Sequence, residues 1–335
     1  MNIRVGINGF GRMGRLALRT AWDWPEFDIV HINEIKGGPE TAAHLLEFDS
    51  VHGPWHRGIR ATDRQVIIDG KAVGFSDKKS PGEVAWKDLG IDVVIEASGK
   101  FRTQETLQPY FDQGVAKVIV AAPVKAGALN MVMGVNDDLY QPAKHHLVTA
   151  ASCTTNCLAP LVQPLHQAIG VEHGLMTTIH AYTNDQVLTD VFHSDLRRAR
   201  SATMSMIPTK TGAAAAVGLV LPELAGKLDG FAIRVPTINV SMVDLTFRAA
   251  RDTSTEEIDQ VLEEASKGAL KDILGFNREP LVSIDFNHDP RSSIYESSLT
   301  RVVDSRLVKV CSWYDNEWGF STRMLDATIA LMNAG

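Results

Sequence analysis

A cysteine at the start of a predicted helix carries the most reactive chemistry in this sequence. Cys153 follows Ser152 in the run Ser-Cys-Thr-Thr-Asn-Cys, where a long helical pattern begins. Serine is a good helix-capping residue, and a thiol in the first turn lies near the positive end of the helix dipole. We therefore expect a lowered pKa and a nucleophilic thiolate at Cys153. Cys157, one turn later, precedes an apolar run and is predicted to be a buried side chain.

A thiol nucleophile requires a base, and His180 is the first candidate. It ends a strand pattern that begins at Leu175 and precedes the polar run Tyr-Thr-Asn-Asp. An imidazole can take up a thiol proton near neutral pH. The spacing alone does not bring His180 to Cys153, and the sequence contains other imidazoles that we assign to surfaces or loops, namely His44, His52, His56, His145 and His146. No second pair of cysteines or histidines has zinc-binding spacing, so we expect no metal site.

A second chemical motif is the glycine pattern GFGRMG at Gly9 to Gly14, placed between an apolar strand pattern and a helical one. Such glycines permit a tight turn, close approach of a pyrophosphate and close helix–strand packing, with the anion at the helix N-terminus. Glu34 ends the next strand pattern, where a carboxylate accepts hydrogen bonds from ribose hydroxyls and repels a 2′-phosphate. The pattern predicts a dinucleotide site that prefers NAD to NADP. The alternative is a glycine turn with a purely structural role.

Two different folding patterns must position these residues. From residue 1 to about 150, short β-branched runs alternate with helical stretches, which is typical of a parallel sheet covered by helices on both faces. An Asp-Gly pair within the run from Val66 to Val73 indicates an inserted hairpin. After residue 150, a long helix and longer strands indicate an α+β domain with a mixed or antiparallel sheet. Helical spacing also covers Thr255 to Lys271 and Ser321 to Met332.

The composition fits two soluble domains. At about 150 residues per domain, the 335 residues give roughly two domains. The 40 acidic and 33 basic residues give a net charge of −7, which argues against nucleic acid or an anionic membrane as a partner. No apolar run approaches the length of about 18 residues that a membrane-spanning helix needs. Three cysteines are too few for a disulfide framework in a chain of this size, which favours a reducing, cytoplasmic location.

Seven blocks of the sequence resemble those of phosphorylating glyceraldehyde-3-phosphate dehydrogenases, in the same order and with similar spacing. They are INGFGRMGR, ASCTTNCLAP, HAYTND, DLRRAR, TGAAAAVG, RVPTINVS and SWYDNEWGF, and they cover essentially the whole chain. The resemblance implies a Rossmann-type doubly wound parallel sheet for NAD at 1–151 and an α+β catalytic domain at 152–317. It further implies a C-terminal helix at 318–335 that returns to the NAD domain, and a homotetramer.

The resemblance also implies a reaction. Cys153 attacks the aldehyde carbon of glyceraldehyde 3-phosphate, His180 takes the hydroxyl proton, hydride passes to NAD, and a thioester remains. Inorganic phosphate then releases 1,3-bisphosphoglycerate. The residues that match the two implied anion pockets are Ser152, Thr154, Thr183, Arg198, Thr211, Gly212 and Arg234. The residues that match the cofactor site are Gly9, Phe10, Gly11, Arg12, Met13, Glu34, Ala121 and Asn316.

Several positions depart from the usual pattern of that family. Glu34 replaces the common aspartate, Phe192 occupies a region where Leu-Pro is common, and Ala121 replaces a serine, so NADP use stays open. Ile238 replaces a proline; together with Phe192 it is similar to erythrose-4-phosphate dehydrogenases, which are the alternative. Thr183, Thr211 and Gly212 follow the triose enzymes instead. The whole pattern also resembles the enzymes found beside bacterial arsenic exporters, in which arsenate replaces phosphate and gives 1-arseno-3-phosphoglycerate.

Plainer interpretations exist for some of these residues. Without the resemblance, Arg198 and Arg234 would be surface charges and Trp318 a core aromatic. The chain could also be a catalytically silent NAD-binding protein. The presence of both Cys153 and His180 argues for an enzyme, because a binding protein needs neither.

Overall fold

The computed structural model describes residues 2–333, and its contacts divide the chain into two compact units. The first unit comprises Met1–Met131, Asp137–Ala151 and Ser321–Gly335, and the second comprises Val132–Asn136 and Ser152–Phe320. Each unit contains one large sheet. In the described part of the chain, no helix combines the length and apolar character that crossing a membrane requires.

The first unit is a mainly parallel sheet with helical connections. Its strands in residues 2–333 are β1 (Ile3–Asn8), β2 (Phe27–Asn33), β3 (Ile59–Thr62), β4 (Gln65–Ile68), β5 (Lys71–Ser76), β6 (Val93–Glu96), β7 (Lys117–Val120), β8 (Leu129–Asn130) and β9 (Leu147–Thr149). Its helices within that range include α1 (Arg12–Ala21), α2 (Gly38–Glu47) and α3 (Gln104–Asp112). The strand order is β3-β4-β5-β2-β1-β6-β7-β9-β8. The predicted doubly wound parallel sheet is confirmed.

The strand order explains where a ligand would bind to the first unit. β1 pairs in parallel with β2 on one side and with β6 on the other, so the direction of winding reverses at β1. Ligands of open parallel sheets bind at the carboxyl ends of the strands at such a reversal. The glycine turn follows β1 directly and therefore lies at this position.

The inserted hairpin of the first unit is confirmed as well. β4 and β5 pair antiparallel, with Gln65 opposite Gly74. Asp69 and Gly70 connect them with φ angles of 49° and 85°. Positive φ at both central residues is typical of the two-residue turns whose twist matches that of the flanking strands.

The second unit is built on a mixed sheet. Its strands in the described residues are β10 (Val171–Ala181), β11 (Ile207–Lys210), β12 (Leu228–Val235), β13 (Ser241–Ala249), β14 (Leu274–Asn277), β15 (Ser293–Glu296), β16 (Arg301–Val303) and β17 (Leu307–Tyr314). The order is β11-β12-β10-β13-β17-β15-β14, and β16 pairs with β17. β10 is parallel to β12 and antiparallel to β13, which confirms the predicted α+β unit. The helices of this part are α4 (Cys153–Ile169), α5 (Ala213–Val220) and α6 (Thr255–Lys267).

The start of α4 follows the predicted capping pattern. Ser152 is extended, with φ −125° and ψ 159°, and its hydroxyl accepts a hydrogen bond from the amide of Thr155 at 3.1 Å. This contact satisfies one of the N–H groups that a helix start leaves without an intrahelical partner. Cys153 is therefore fixed as the first residue of α4.

Two helix boundaries differ from the sequence prediction. α6 ends at Lys267 rather than Lys271, because Gly268 leaves the helix and its amide donates to the carbonyls of Glu264 and Ala265. The last helix, α7 (Trp318–Asn333), begins three residues before the predicted Ser321. Trp318 is only partly buried, with its ring centroid 3.5 Å from that of His288, so its interpretation as a core aromatic is wrong.

Candidate active site

The second unit brings the predicted nucleophile and the predicted base into contact. Cys153 begins α4, and His180 is the second-last residue of β10. Sγ of Cys153 lies 3.6 Å from Nε2 of His180. Cys153 as a whole residue is partly exposed, whereas His180 is buried. The distance allows a proton to pass directly from the sulfur to the ring nitrogen.

The other ring nitrogen of His180 has two neighbours. Nδ1 lies 2.6 Å from the carbonyl oxygen of Ala181, and Nη1 of Arg234 lies 2.6 Å from Nδ1 and 2.9 Å from the same carbonyl. A carbonyl only accepts, so the Ala181 contact places the proton on Nδ1 and leaves Nε2 as an acceptor toward the thiol. A guanidinium only donates, so its contact with Nδ1 requires the tautomer that carries the ring proton on Nε2. Arg234 thus competes with Ala181 for Nδ1.

Burial and charge keep His180 neutral. Burial first, and then the positive charge of Arg234, lower the pKa of His180 to about 3. The ring of Tyr314 also packs edge-on against the imidazole, with 5.9 Å between centroids. At neutral pH, His180 is therefore a neutral imidazole that can accept a proton.

The predicted lowering of the Cys153 pKa is wrong for this chain. Burial raises the pKa of the thiol above its ordinary value, and the charge of Arg234 and the hydrogen bonds of Thr154 oppose this rise without reversing it. The position at the start of a helix is thus outweighed by desolvation. In the free protein the sulfur holds its proton at neutral pH, and nucleophilic attack requires transfer of this proton to His180.

Cys157 is the buried side chain that the sequence predicts. Its sulfur lies 3.5 Å from the hydroxyl of Ser293 and 3.8 Å from the carbonyl oxygen of Ser312. Burial raises the pKa of this thiol to about 12, so it is chemically inert. Among residues 2–333, no group of three or more His, Cys, Asp or Glu side chains is arranged to hold a metal ion.

The two arginines predicted for anion binding lie on this unit in different surroundings. Nε of Arg234 is buried and makes no hydrogen bond within the described residues. Arg198 forms an ion pair with Asp185, and its Nε donates to the hydroxyl of Thr209 at 2.8 Å. Arg234 is oriented by His180 and Ala181 and acts on Cys153 through its charge, whereas Arg198 is held by Asp185 and Thr209.

The hydroxyls that flank the thiol are used for structure. Ser152 caps α4, and the hydroxyl of Thr154 lies 2.8 Å from that of Tyr314. Tyr314 in turn lies 2.8 Å from the hydroxyl of Thr178 on β10. Tyr314 therefore ties the first turn of α4 to the strand that carries His180. Sequence reasoning missed this contact, because no local pattern links residues 160 positions apart.

Three predicted anion ligands are not brought to the thiol by direct hydrogen bonds. The amide and hydroxyl of Thr183 donate to the side-chain oxygen of Gln186 at 3.0 and 3.3 Å. The hydroxyl of Thr211 accepts from the amide of Ala213, and Gly212 is the capping residue of α5. In the part of the chain that the structure describes, no hydrogen bond joins these three residues to the cysteine–histidine pair.

Asn316 is connected to the site through a serine that the sequence analysis did not single out. The hydroxyl of Ser241 donates to Oδ1 of Asn316 at 2.7 Å and accepts from the amide of Ala181 at 3.0 Å. Ala181 follows His180, so these two hydrogen bonds hold the side-chain amide of Asn316 in place relative to the imidazole. Its side chain is buried and oriented.

In the first unit, the glycine turn has room for an anion. Gly9 has φ 90°, and a Cβ there would lie 2.4 Å from the backbone of Ser98. A Cβ on Gly14 would lie 2.1 Å from the carbonyl oxygen of Gly9. A Cβ on Gly11 would meet no atom within 4 Å, so the space beside the turn is open. The turn therefore fits the pyrophosphate of a dinucleotide at the N-terminus of α1.

The remaining predicted cofactor residues surround the turn or adjoin the same sheet. Glu34 follows β2, and its carboxylate accepts hydrogen bonds from the amides of Phe10 at 2.8 Å and Lys36 at 3.1 Å. A carboxylate has about four acceptor positions, so it can also receive ribose hydroxyls. The guanidinium of Arg12 forms an ion pair with Asp49 at 2.5 Å, which partly neutralises its charge. Two further residues are Met13, in the first turn of α1, and Ala121, after β7.

We expect the substitution Arg234→Met to slow alkylation of Cys153 by iodoacetamide at pH 7. Loss of the neighbouring positive charge raises the thiol pKa. A rise of one pH unit in this pKa lowers the thiolate fraction about tenfold. The same loss raises the pKa of His180 toward its ordinary value. Alkylation rates measured from pH 5 to 10 test both shifts. The exposed Arg197→Met is the matched control, and identical profiles for the two variants would contradict the assignment.

Comparison with known proteins agrees with these two sites. Residues 3–104 match the family described as the NAD binding domain of glyceraldehyde 3-phosphate dehydrogenase, and residues 152–316 match its C-terminal domain. The chain is 59% identical over 327 residues to glyceraldehyde-3-phosphate dehydrogenase 3 of Nostoc sp., with 97% of each chain covered. It is 53% identical over 337 residues to glyceraldehyde-3-phosphate dehydrogenase of Pseudomonas aeruginosa, covering 100% of this chain and 99% of the other. The chain belongs to the glyceraldehyde-3-phosphate dehydrogenase family.

Proposed function

We propose that this protein oxidises D-glyceraldehyde 3-phosphate with NAD and inorganic phosphate to 1,3-bisphosphoglycerate. The contact of 3.6 Å between Sγ of Cys153 and Nε2 of His180 carries the proposal, because it pairs a nucleophile with a base. The family relationship supplies the substrate class, a small phosphorylated aldehyde. A silent NAD-binding protein would have no use for this pair.

The chemistry begins at the sulfur. Sγ of Cys153 forms a bond to the aldehyde carbon while its proton moves to Nε2 of His180 and on to the carbonyl oxygen, which gives a thiohemiacetal. His180, again neutral, then takes the hydroxyl proton as the carbon loses hydride, and a thioester on Cys153 remains. NAD supplies the hydride acceptor when it is bound. Phosphate attacks the thioester, the carbon–sulfur bond breaks, and the proton held by His180 returns to the sulfur.

Two anionic groups have to be held during this sequence, the phosphate of the substrate and the attacking phosphate. The positive charge of Arg234, which acts on Cys153, supports a role for this side chain in binding one of them. The residues that we propose for the two anions are Ser152, Thr154, Thr183, Arg198, Thr211, Gly212 and Arg234. Those that we propose to hold NAD are Gly9, Phe10, Gly11, Arg12, Met13, Glu34, Ala121 and Asn316.

The carboxylate of Glu34 is expected to set the preference for NAD. We expect Glu34→Gln to lower KM for NADP by about tenfold, because removing one negative charge removes repulsion of the 2′-phosphate. KM for NAD should rise, because glutamine has one acceptor group where the carboxylate accepts from the amides of both Phe10 and Lys36. Steady-state rates with both cofactors measure this effect. Glu40→Gln, an exposed carboxylate on α2, is the control, and an unchanged NADP KM in the Glu34 variant would refute the role.

The decisive experiment follows NADH formation with glyceraldehyde 3-phosphate and erythrose 4-phosphate side by side, each with phosphate and with arsenate. Turnover of the triose that requires either anion supports the proposal, and the anion preference decides whether arsenate is the physiological acceptor. Arsenate is proposed as an alternative acceptor because it is a tetrahedral oxyanion like phosphate. Turnover of the tetrose without any anion would instead favour erythrose-4-phosphate dehydrogenase activity, in which case Phe192 and the half-exposed Ile238 would be the better guides.

We further propose a homotetramer. A run of the second unit exposes large apolar side chains, which is typical of an interface between subunits, and these are Leu188, Phe192, Leu196, Met204 and Met206. Light scattering on the purified protein measures the oligomeric state, and a monomer at micromolar concentration would exclude the tetramer.

The domain assignment is likewise a proposal. We assign 1–151 to NAD binding, 152–317 to catalysis and 318–335 to the helix that returns to the NAD-binding part. The hydroxyl of Tyr140, which donates to the carbonyl oxygen of Leu331 at 3.0 Å within the first unit, supports the last assignment. The three free cysteines support a reducing, cytoplasmic location.

A further inference from the structure

A buried carboxylate lies beside the glycine turn of the first unit and takes no part in the proposed chemistry. Glu96 is the last residue of β6 and is 1% exposed. Its Oε2 accepts from Nδ2 of Asn8 at 2.7 Å and from the hydroxyl of Tyr110 at 2.5 Å. Its Oε1 accepts from the amide of Ser98 at 2.7 Å and from the hydroxyl of Ser98 at 2.5 Å. A carboxylate accepts four such bonds at once, which offsets part of the cost of its removal from water. Burial still raises the pKa of Glu96 above its ordinary value, against the lowering effect of these bonds.

The hydrogen bonds continue from this carboxylate across the ends of the neighbouring strands. Nδ2 of Asn33 donates to Oδ1 of Asn8 at 2.7 Å, and Oδ1 of Asn33 accepts from the amide of Lys78 at 2.8 Å. Glu96, Asn8 and Asn33 are the last residues of β6, β1 and β2. The network therefore joins the three strand ends around which the glycine turn is built.

The backbone of the turn rests on the same residues. The amide of Gly9 donates to the carbonyl oxygen of Asn33 at 2.8 Å, and the amide of Ala97 donates to the carbonyl oxygen of Asn8 at 2.7 Å. The space that a Cβ of Gly9 would need is filled by the backbone of Ser98. The position of Ser98 therefore limits the position of Gly9. One carboxylate oxygen of Glu96 binds Ser98, and the other binds Asn8, which precedes Gly9.

We propose that Glu96 is a positioning residue for the NAD site, in that its carboxylate holds Ser98 against Asn8 and Gly9 and so fixes the turn that receives the pyrophosphate. The proposal rests on the proposed function, because it concerns the same cofactor. A glutamine in this position cannot replace the carboxylate, since one of its two terminal groups is a donor that faces donors. The side chain of residue 96 would then lose its hydrogen bonds either to Ser98 or to Asn8 and Tyr110, and the turn would be less firmly positioned.

The test compares Glu96→Gln with Tyr110→Phe in the full-length protein. Glu96→Gln is expected to raise the Kd for NAD at least about tenfold, measured by calorimetric titration, while the alkylation rate of Cys153 without NAD stays within about twofold of the wild type. Tyr110→Phe removes one donor but leaves the bonds of Glu96 to Asn8 and Ser98, so its Kd should change less than about threefold. Hydrogen exchange of the apo protein should be faster at residues 8–14 in Glu96→Gln.

Each outcome decides the matter. A Glu96→Gln variant that melts at a lower temperature but binds NAD with unchanged Kd overturns the proposal and leaves Glu96 a merely structural residue. Where the glutamine variant does not fold, Glu96→Asp takes its place. Aspartate keeps the carboxylate, but its side chain is shorter by one methylene, so it should not reach the same partners and should also weaken NAD binding. If the wild type itself does not bind NAD, the proposed function fails; unchanged hydrogen exchange at residues 8–14 then separately overturns the positioning role.

Discussion

Replacing Cys153 by serine is expected to lower kcat for oxidation of glyceraldehyde 3-phosphate by at least about 10⁴-fold. The hydroxyl of serine is a much weaker nucleophile than the sulfur, because it ionises far less readily than a thiol. No thioester forms, so phosphate has nothing to attack. NAD binding should be unchanged, because the variant leaves the glycine turn intact.

The measurement is NADH formation under saturating triose, NAD and phosphate. Cys157→Ala is the matched control, because this thiol lies on the same helix, is fully buried and has its pKa raised to about 12. It should keep most of the wild-type kcat and show its effect as a lower melting temperature, since a buried side chain is truncated. A Cys153→Ser enzyme with more than about one percent of wild-type activity would show that the thiol is not the nucleophile.

Replacing His180 by asparagine is expected to lower kcat by about 10²- to 10⁴-fold, the usual contribution of a general base. The thiol pKa is raised by burial, so sulfur without a proton acceptor remains protonated at neutral pH. Asparagine fits the space but cannot take up the proton. The variant should recover part of its activity as the pH rises, because hydroxide then removes the thiol proton.

The pH profile separates this role from a structural one. In the wild type, His180 is neutral throughout pH 5 to 9 because its pKa is lowered to about 3, so it can accept the thiol proton over this whole range and kcat/KM should change little. In His180→Asn the rate should instead follow the thiolate fraction, so kcat/KM should rise by up to about tenfold per pH unit. His173→Asn, an exposed residue on the same strand, is the control. Equal losses at every pH would indicate that His180 supports the fold rather than proton transfer.

The features that the sequence predicts correctly are contiguous in the chain. The glycine turn is readable because strand, turn and helix follow one another within residues 3–21, and each glycine answers a local steric demand. The Asp69-Gly70 hairpin and the Ser152 cap are recognisable for the same reason. The end of α6 was misplaced because the apolar spacing continues to Leu270, which is buried beyond the helix after Gly268 has left it.

The family relationship and the predictions for Cys153, His180 and the glycine turn came from the sequence alone, because motif order and local spacing are properties of the chain itself. Only the tertiary structure decided that the sulfur meets the imidazole across 27 positions, and that Glu96 reaches Asn8 across 88. It also decided the direction of the Cys153 pKa, which the sequence predicted wrongly. Desolvation and the charge of Arg234 depend on which distant segments pack around a side chain, and no local pattern records that packing.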